Sequence, residues 1–288
     1  MNLIRKIVAL PWGAKSMVVL YLSLFSGIVV ALQYDPAAPY YSASSLDILV
    51  PYGAFWRSLH FYASQLFFLF IVIHLFAVIF EDSIAKLNVR RWVLLIFSSV
   101  ASLLLLFTGY LLRDDATGNA AGAIAENIIL SIPLIGKFLN SLLFSISDSG
   151  MGRVYANHLV GLCVLWIFLC WDHIRRYSVN WKSHPLLVVS VIFFCAFAGA
   201  PMEPDSIGVF YISGPWFFMG LQEILRYIQP FWAGIFFPAI LLGALILLHP
   251  HFKCRRRALY CILIWILVYV GFTLTAFWRS EFASPFAA

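Results

Sequence analysis

Seven stretches of the chain are apolar almost throughout, roughly 15–33, 57–80, 91–112, 155–173, 185–202, 230–249 and 258–278. An α-helix crosses a hydrocarbon core of about 30 Å with about 20 such residues, so each stretch predicts a membrane-spanning helix. The fifth, Pro185 to Ala200, is the shortest. Polar and turn-forming residues fill the intervals. After the first span come Asp35-Pro36-Ala37-Ala38-Pro39, Tyr40, Tyr41 and a serine-rich turn. A short charged connection occupies 81–90. The longest interval, Arg113 to Arg153, carries Ile124, Ile128, Ile129 and Leu130, then Leu134, Ile135, Phe138, Leu139, Leu142 and Leu143, interrupted at Ile132-Pro133. This pattern is too broken to span and predicts amphipathic helices lying at the interface. The expected fold is an all-α integral membrane protein with about seven transmembrane helices.

Composition agrees: 62% of residues are hydrophobic, 11% are charged and the mean hydropathy is +0.91, well outside the range of soluble domains. Charge then orients the chain. With the N-terminus in the cytoplasm, that side collects thirteen basic residues, among them Arg5, Lys6, Lys15, Arg90, Arg91, Arg175, Arg176 and Arg255 to Arg257, against three acids. The other side holds six basic residues and ten acids. The positive-inside rule selects N-in, C-out in a bacterial-type cytoplasmic membrane. It also accounts for the net charge of +6 without nucleic acid, and a basic cytoplasmic face suits anionic lipid. The basic N-terminal residues are not closed by a small-residue cleavage site, so a surface segment is expected there rather than a signal peptide. Five cysteines form neither CxxC nor CxxCH, which gives no indication of an iron–sulfur site or covalently attached haem.

The candidate chemistry lies in two histidine pairs. His60 and His74 are fourteen residues apart in the second span, and His158 and His173 fifteen apart in the fourth. Fourteen residues come within about 40° of four full helical turns and fifteen overshoot by about 60°. Each pair therefore faces roughly one way, its members about 21–23 Å apart along the helix. Both spans run from outside to inside, which levels His60 with His158 near the outer surface and His74 with His173 near the inner one. Buried imidazoles in a membrane are costly without a role, and bis-imidazole ligation of two b-type haems satisfies all four. Without haem, the same residues would serve helix packing or proton relay in a non-redox membrane subunit. Arg57 and Arg153, three and five residues before the outer histidines, suit the anionic haem propionates. His184, beside Pro185 at a cytoplasmic helix start, is a candidate for quinone contact.

These features together resemble the cytochrome b of quinol-oxidising bc and bf complexes. Phe25-Ser26-Gly27-Ile28 resembles the family's first helix and its glycine. The run Tyr52 to His60, with Arg57 three residues before the histidine, is similar to its second helix. Thr108-Gly109-Tyr110 resembles the glycine–tyrosine near the end of the third, Ile132-Pro133-Leu134-Ile135-Gly136 the external Ile-Pro-x-Ile-Gly, and Gly152 to His158 the approach to the fourth. The resemblance implies a four-helix two-haem bundle over 1–180 and a three-helix C-terminal region over 181–288. It also implies haem-cradling roles for Gly27 and Gly109, and a homodimer. The fifteen-residue spacing is that of the bf branch, whose last three spans form a separate subunit and here are fused. That branch's extra covalent haem lacks its cysteine, since none precedes Cys163.

Two departures fall on the family's outer quinol site. Its Pro-Glu-Trp-Tyr, whose glutamate accepts a quinol proton, is replaced by Gly214-Pro215-Trp216-Phe217. Its Leu-Pro-Trp after the glycine–tyrosine is replaced by Leu112-Arg113-Asp114-Asp115. Trp216 and Phe217 remain candidate quinone contacts. Glu223, first choice, and Asp114 and Asp115 are the replacement proton acceptors the sequence offers. The function expected is a respiratory quinol:acceptor oxidoreductase subunit that passes electrons between the quinone pool and a Rieske-type iron–sulfur protein, a c-type cytochrome, or both. The alternative is a non-bifurcating transmembrane conduit to a multihaem cytochrome.

Overall fold

A computed structural model describes residues 8–146, 150–177, 179–205 and 212–282. Arg5 and Lys6, counted above toward the orientation, lie outside the described residues. Among those described, the secondary structure is helical, without strands. The helices are α1 (Trp12–Ala31), α2 (Pro39–Leu49), α3 (Gly53–Phe80), α4 (Val89–Leu111), α5 (Ala116–Leu130), α6 (Gly136–Leu143), α7 (Met151–Ile174), α8 (Pro185–Phe197), α9 (Met219–Ile224), α10 (Trp232–Leu247) and α11 (Arg255–Phe282). Of the seven expected spans, α1, α3, α4, α7 and α11 are long and apolar enough to cross a membrane, while α8 and α10 are shorter.

The chain condenses into two compact units, each drawn from two stretches. The first comprises residues up to Gly109 and His158–Met202. Its core joins Val19, Leu59, Phe67, Ala101, Trp166, Cys170, Val191 and Cys195 from α1, α3, α4, α7 and α8. Helix α1 packs along α3, and α2 and α8 pack on the same helix. Buried hydroxyls along these helices bond back to carbonyls three or four residues earlier, as Ser16 does to Gly13, Ser26 to Leu22 and Ser102 to Ser98. That satisfies them internally while their small size lets neighbouring helices approach.

Helix α8 has only 13 residues, about 20 Å of rise, and ends five residues before its expected boundary. The cause lies in the adjoining extended segment, 198–201, which is bonded to α3 instead of to itself. Tyr62 Oη donates to the Gly199 carbonyl (2.9 Å), Arg57 Nη2 to Ala200 (2.7 Å), Arg57 Nη1 to Pro201 (3.3 Å), and Ala200 N–H to Ser58 Oγ (2.9 Å). Backbone groups in an apolar setting need partners, and α3 supplies them more cheaply than a helix continuing into Pro201 could.

The second unit comprises Tyr110–Asn157 and Glu203–Ala288. Its amphipathic pair α5 and α6 breaks at 131–135, where Pro133 and a left-handed Leu134 (φ 67°) turn the chain. Helix α9 packs on α11, with Gly220 set against Tyr269 and Thr273, and α10 also packs on α11. Phe237, Trp265 and Tyr269 stack at 4.8–4.9 Å between centroids of successive rings. Helix α10 opens with a π turn, Trp232–Phe236. Pro238 lacks the N–H that would bond the Gly234 carbonyl in a regular helix, so the ladder is reset there.

Candidate functional site

The four histidines come together as two pairs, all in the first unit. The His60 and His158 rings have centroids 6.2 Å apart at 85°, and His74 and His173 have centroids 6.3 Å apart at 43°. A metal–imidazole bond is about 2.0–2.1 Å, and the ligating nitrogen lies about 1.1 Å from its ring centre, so two imidazoles on opposite faces of one ion sit about 6.3 Å apart. Both pairs match that separation. Among the described residues, no group of three or more His, Cys, Asp or Glu could hold a bare metal ion. Two imidazoles alone therefore fit an iron whose other ligands come from a porphyrin.

Local structure aims the outer pair. His60 Nδ1 donates to the Ser23 carbonyl at 2.9 Å. His158 Nδ1 lies 2.9 Å from Thr108 Oγ1, whose own hydrogen is directed to the Leu104 carbonyl at 2.8 Å. With Nδ1 donating, the Nε2 lone pair remains for a ligand. Glycines bring helix backbones up to the imidazoles. A Cβ on Gly27 would meet His60 Cε1 at 2.8 Å, one on Gly109 would meet His158 Cε1 at 3.0 Å, and one on Gly13 would meet His74 Cε1 at 3.2 Å. Sequence reading found Gly27 and Gly109 but missed Gly13, Ser23 and Thr108.

The fifteen-residue interval has a structural explanation. A π turn, Asn157–Gly161, sits in α7 at His158 itself. Such a turn accommodates one extra residue in an α-helix. The remaining interval is then equivalent to the fourteen residues of α3, and the 60° overshoot disappears.

The other candidate residues divide between structural and accessible positions. Arg57 is buried; its Nε and Nη2 make a two-pronged ion pair with Asp47, with one bond at 2.7 Å. Together with the bonds to Ala200 and Pro201, four of its five N–H donors are engaged. Arg153 is exposed. Asp115 is fully buried and structural: it caps α5 through Gly118 N–H (2.8 Å), pairs with Arg113, and accepts from Thr117 and from Glu203 N–H. Glu223 is 1% exposed, with Arg279 and Tyr227 on Oε1 at 3.0 Å and Arg226 3.2 Å from Oε2. Asp114 is only half-buried and left-handed (φ 52°). Burial and the neighbouring carboxylate of Asp205 hold its acidity below that of an ordinary aspartate, raising its pKa. Phe217 is buried, with its carbonyl accepting from Tyr269 Oη at 2.7 Å, while Trp216 is half-exposed. His184 precedes Pro185 at the start of α8.

The chain is similar to known proteins in sequence and in fold. Residues 3–176 match the family model for cytochrome b/b6/petB. The chain is 27% identical over 179 residues to cytochrome b6 of Heliobacterium mobile, covering 60% of this chain and 84% of that one. It is 26% identical over 248 residues to the cytochrome bc1 complex cytochrome b subunit of Streptomyces coelicolor, covering 72% of this chain but 45% of the relative. Its fold matches a chain of a hyperthermophilic respiratory Complex III with a TM-score of 0.65 at 19% identity, over 92% of this chain and 82% of the other.

Proposed function

The chain belongs to the cytochrome b family, and from that premise we propose that it carries two b-type haems, one ligated by His60 and His158 and the other by His74 and His173. Membership makes it an integral membrane, haem-binding electron-transport protein of the quinol-oxidising bc/b6f kind. The carrying observation for two haems is the ring separation of 6.2 and 6.3 Å in the two pairs. Bound haem supplies the one-electron chemistry. The chain's own residues fix imidazole tautomers, bring helices within reach and exclude water. Gly13, Gly27 and Gly109 provide the close approach, and Ser23 and Thr108 hold the outer imidazoles with Nε2 free. Arg153 and the remaining donor of Arg57 serve the outer propionates. The two-haem bundle is the 1–180 region, and the 181–288 region carries the family's C-terminal role. The membrane is a bacterial-type cytoplasmic membrane with the N-terminus inside. A Rieske-type protein, a c-type cytochrome, or both complete the electron path, with the chain as a homodimer.

For the quinol proton, Asp114 replaces Glu223 as first choice. Glu223, itself buried, is already paired with Arg226 and Arg279, and Asp115 with the buried Arg113, whereas Asp114 is accessible and its pKa is raised toward that of a useful base. A raised pKa means that Asp114 is protonated, and idle as a base, up to a higher pH than an ordinary aspartate, whose value is about 3.9. Quinol-dependent haem reduction should then rise with pH along a limb set by Asp114. Asp114→Asn should abolish that limb and slow the reaction; Asn also tolerates the left-handed backbone. Glu223→Gln should leave the limb in place. The loss of the family's glutamate at Pro215 favours a second reading, a conduit whose quinone binds near the inner haem around His184. Unchanged rates and pH dependence in Asp114→Asn would decide for it.

A further inference from the structure

Halfway between the two histidine pairs, α3 and α7 each carry an aromatic ring. Phe67 lies seven residues from His60 and seven from His74, about 10.5 Å along the helix in either direction and within about 20° of their face. Trp166 lies eight residues after His158 and seven before His173, and the π turn at Asn157–Gly161 absorbs the odd residue. The two rings therefore share the level midway between the ligand pairs. They meet there edge to face, with centroids 5.6 Å apart at 72°. Both are buried, in the core that also joins Val19, Ala101 and Cys170. The Trp166 indole Nε1 is buried as well, and among the described residues it has no hydrogen-bond partner. A phenylalanine would fill an apolar place of this kind without the desolvation penalty of an unpaired N–H. In such a core the N–H is met by π systems, that of Phe67 and that of a porphyrin held by the adjoining histidines.

We propose that the Phe67–Trp166 contact is the passage for electrons between the outer and inner haems. This rests on the two-haem reading and deepens it, using two residues that neither the histidine spacing nor the family resemblance singled out. Tunnelling weakens steeply across unfilled space and less across closely packed atoms, so a filled aromatic layer at mid-level keeps the two sites coupled. One electron crosses at a time: one iron goes from ferrous to ferric and the other from ferric to ferrous. No bond or proton moves, and neither ring is itself oxidised. Phe67 and Trp166 are positioning residues that act through the medium they form.

The test uses the full chain purified with its haems. The variants are Phe67→Leu, Trp166→Leu and the ring-keeping Trp166→Phe, with Phe168→Leu as a control, since Phe168 lies on the same helix but is 72% exposed. The readouts are haem content, a redox titration of both haems, and the rate at which an electron from a light-triggered reductant equilibrates between them. Spectra of the His60→Ala and His74→Ala chains identify each haem. The expected result is several-fold slower equilibration in both leucine variants, with two haems and unshifted potentials. Trp166→Phe should recover most of the rate, and Phe168→Leu should match the unmodified chain. Where a leucine variant loses a haem, the volume-conserving Phe67→Met and Trp166→Met carry the same comparison. Unchanged rates at full haem content would overturn the proposal, and so would equal slowing in Phe168→Leu. Failure of the two-haem reading looks different: the unmodified chain would bind fewer than two haems, and this proposal would fall with it.

Discussion

Three of the four candidate ligands are aimed by small groups on neighbouring helices. His60 is set by a carbonyl and by Gly27, His158 by Thr108 and Gly109, and His74 by Gly13. Since a Cβ at Gly27 would stand 2.8 Å from His60 Cε1, Gly27→Ala forces the imidazole or α1 to move. Overpacking of this kind costs about 1–3 kcal/mol, a loss of outer-haem affinity of roughly 5- to 150-fold, with the inner haem unaffected. Gly152→Ala, where an added Cβ meets nothing within 4 Å, should change neither. Haem retention during dilution checks both. The histidines and two of the glycines were legible because they recur at fixed intervals or in a recognisable motif. Gly13 was not legible, since a single glycine sixty-one residues before His74 carries no local sign of what it packs against. The Arg57–Asp47 ion pair was equally hidden, because it depends on how α2 folds back onto α3.

The helices explain what the spacing alone left uneven. A strict helical count makes the second histidine pair overshoot, and the π turn at Asn157–Gly161 absorbs the extra residue. Deleting Val160, exposed and inside the π turn, should relax it to regular helix and keep both haems. Deleting Ile167, also exposed but in regular helix, rotates everything beyond it by about 100° and should cost the inner haem alone. Optical difference spectra of the two deletions distinguish them, and loss of the inner haem in both would refute the π-turn account. Hydropathy located seven apolar helices and the break at Pro133. It misjudged the end of α8, because apolar residues 198–201 look like more helix until Tyr62, Ser58 and Arg57 are seen holding their backbone. Period and composition report a helix face; they do not report a backbone partner on another helix.

The chain is a member of the cytochrome b family whose histidine spacing resembles the family's, while the segments proposed for the outer quinol site depart from it. By the resemblance, Pro215 takes the place of the family's glutamate. The acids that sequence offered in its place are divided by structure into two structural partners of arginine and one half-buried aspartate with raised pKa. The arrangement of four histidines into two ligand pairs underlies every other assignment. Its most direct test is the haem-to-protein ratio of the purified chain and of four variants, His60→Ala, His74→Ala, His158→Ala and His173→Ala, read with the low-spin spectrum of each. The expected outcome is two haems in the unmodified chain and one in each variant, with His60→Ala and His158→Ala losing the same haem and His74→Ala and His173→Ala losing the other. Two low-spin, six-coordinate haems in every variant, or losses that pair His60 with His74, would contradict it.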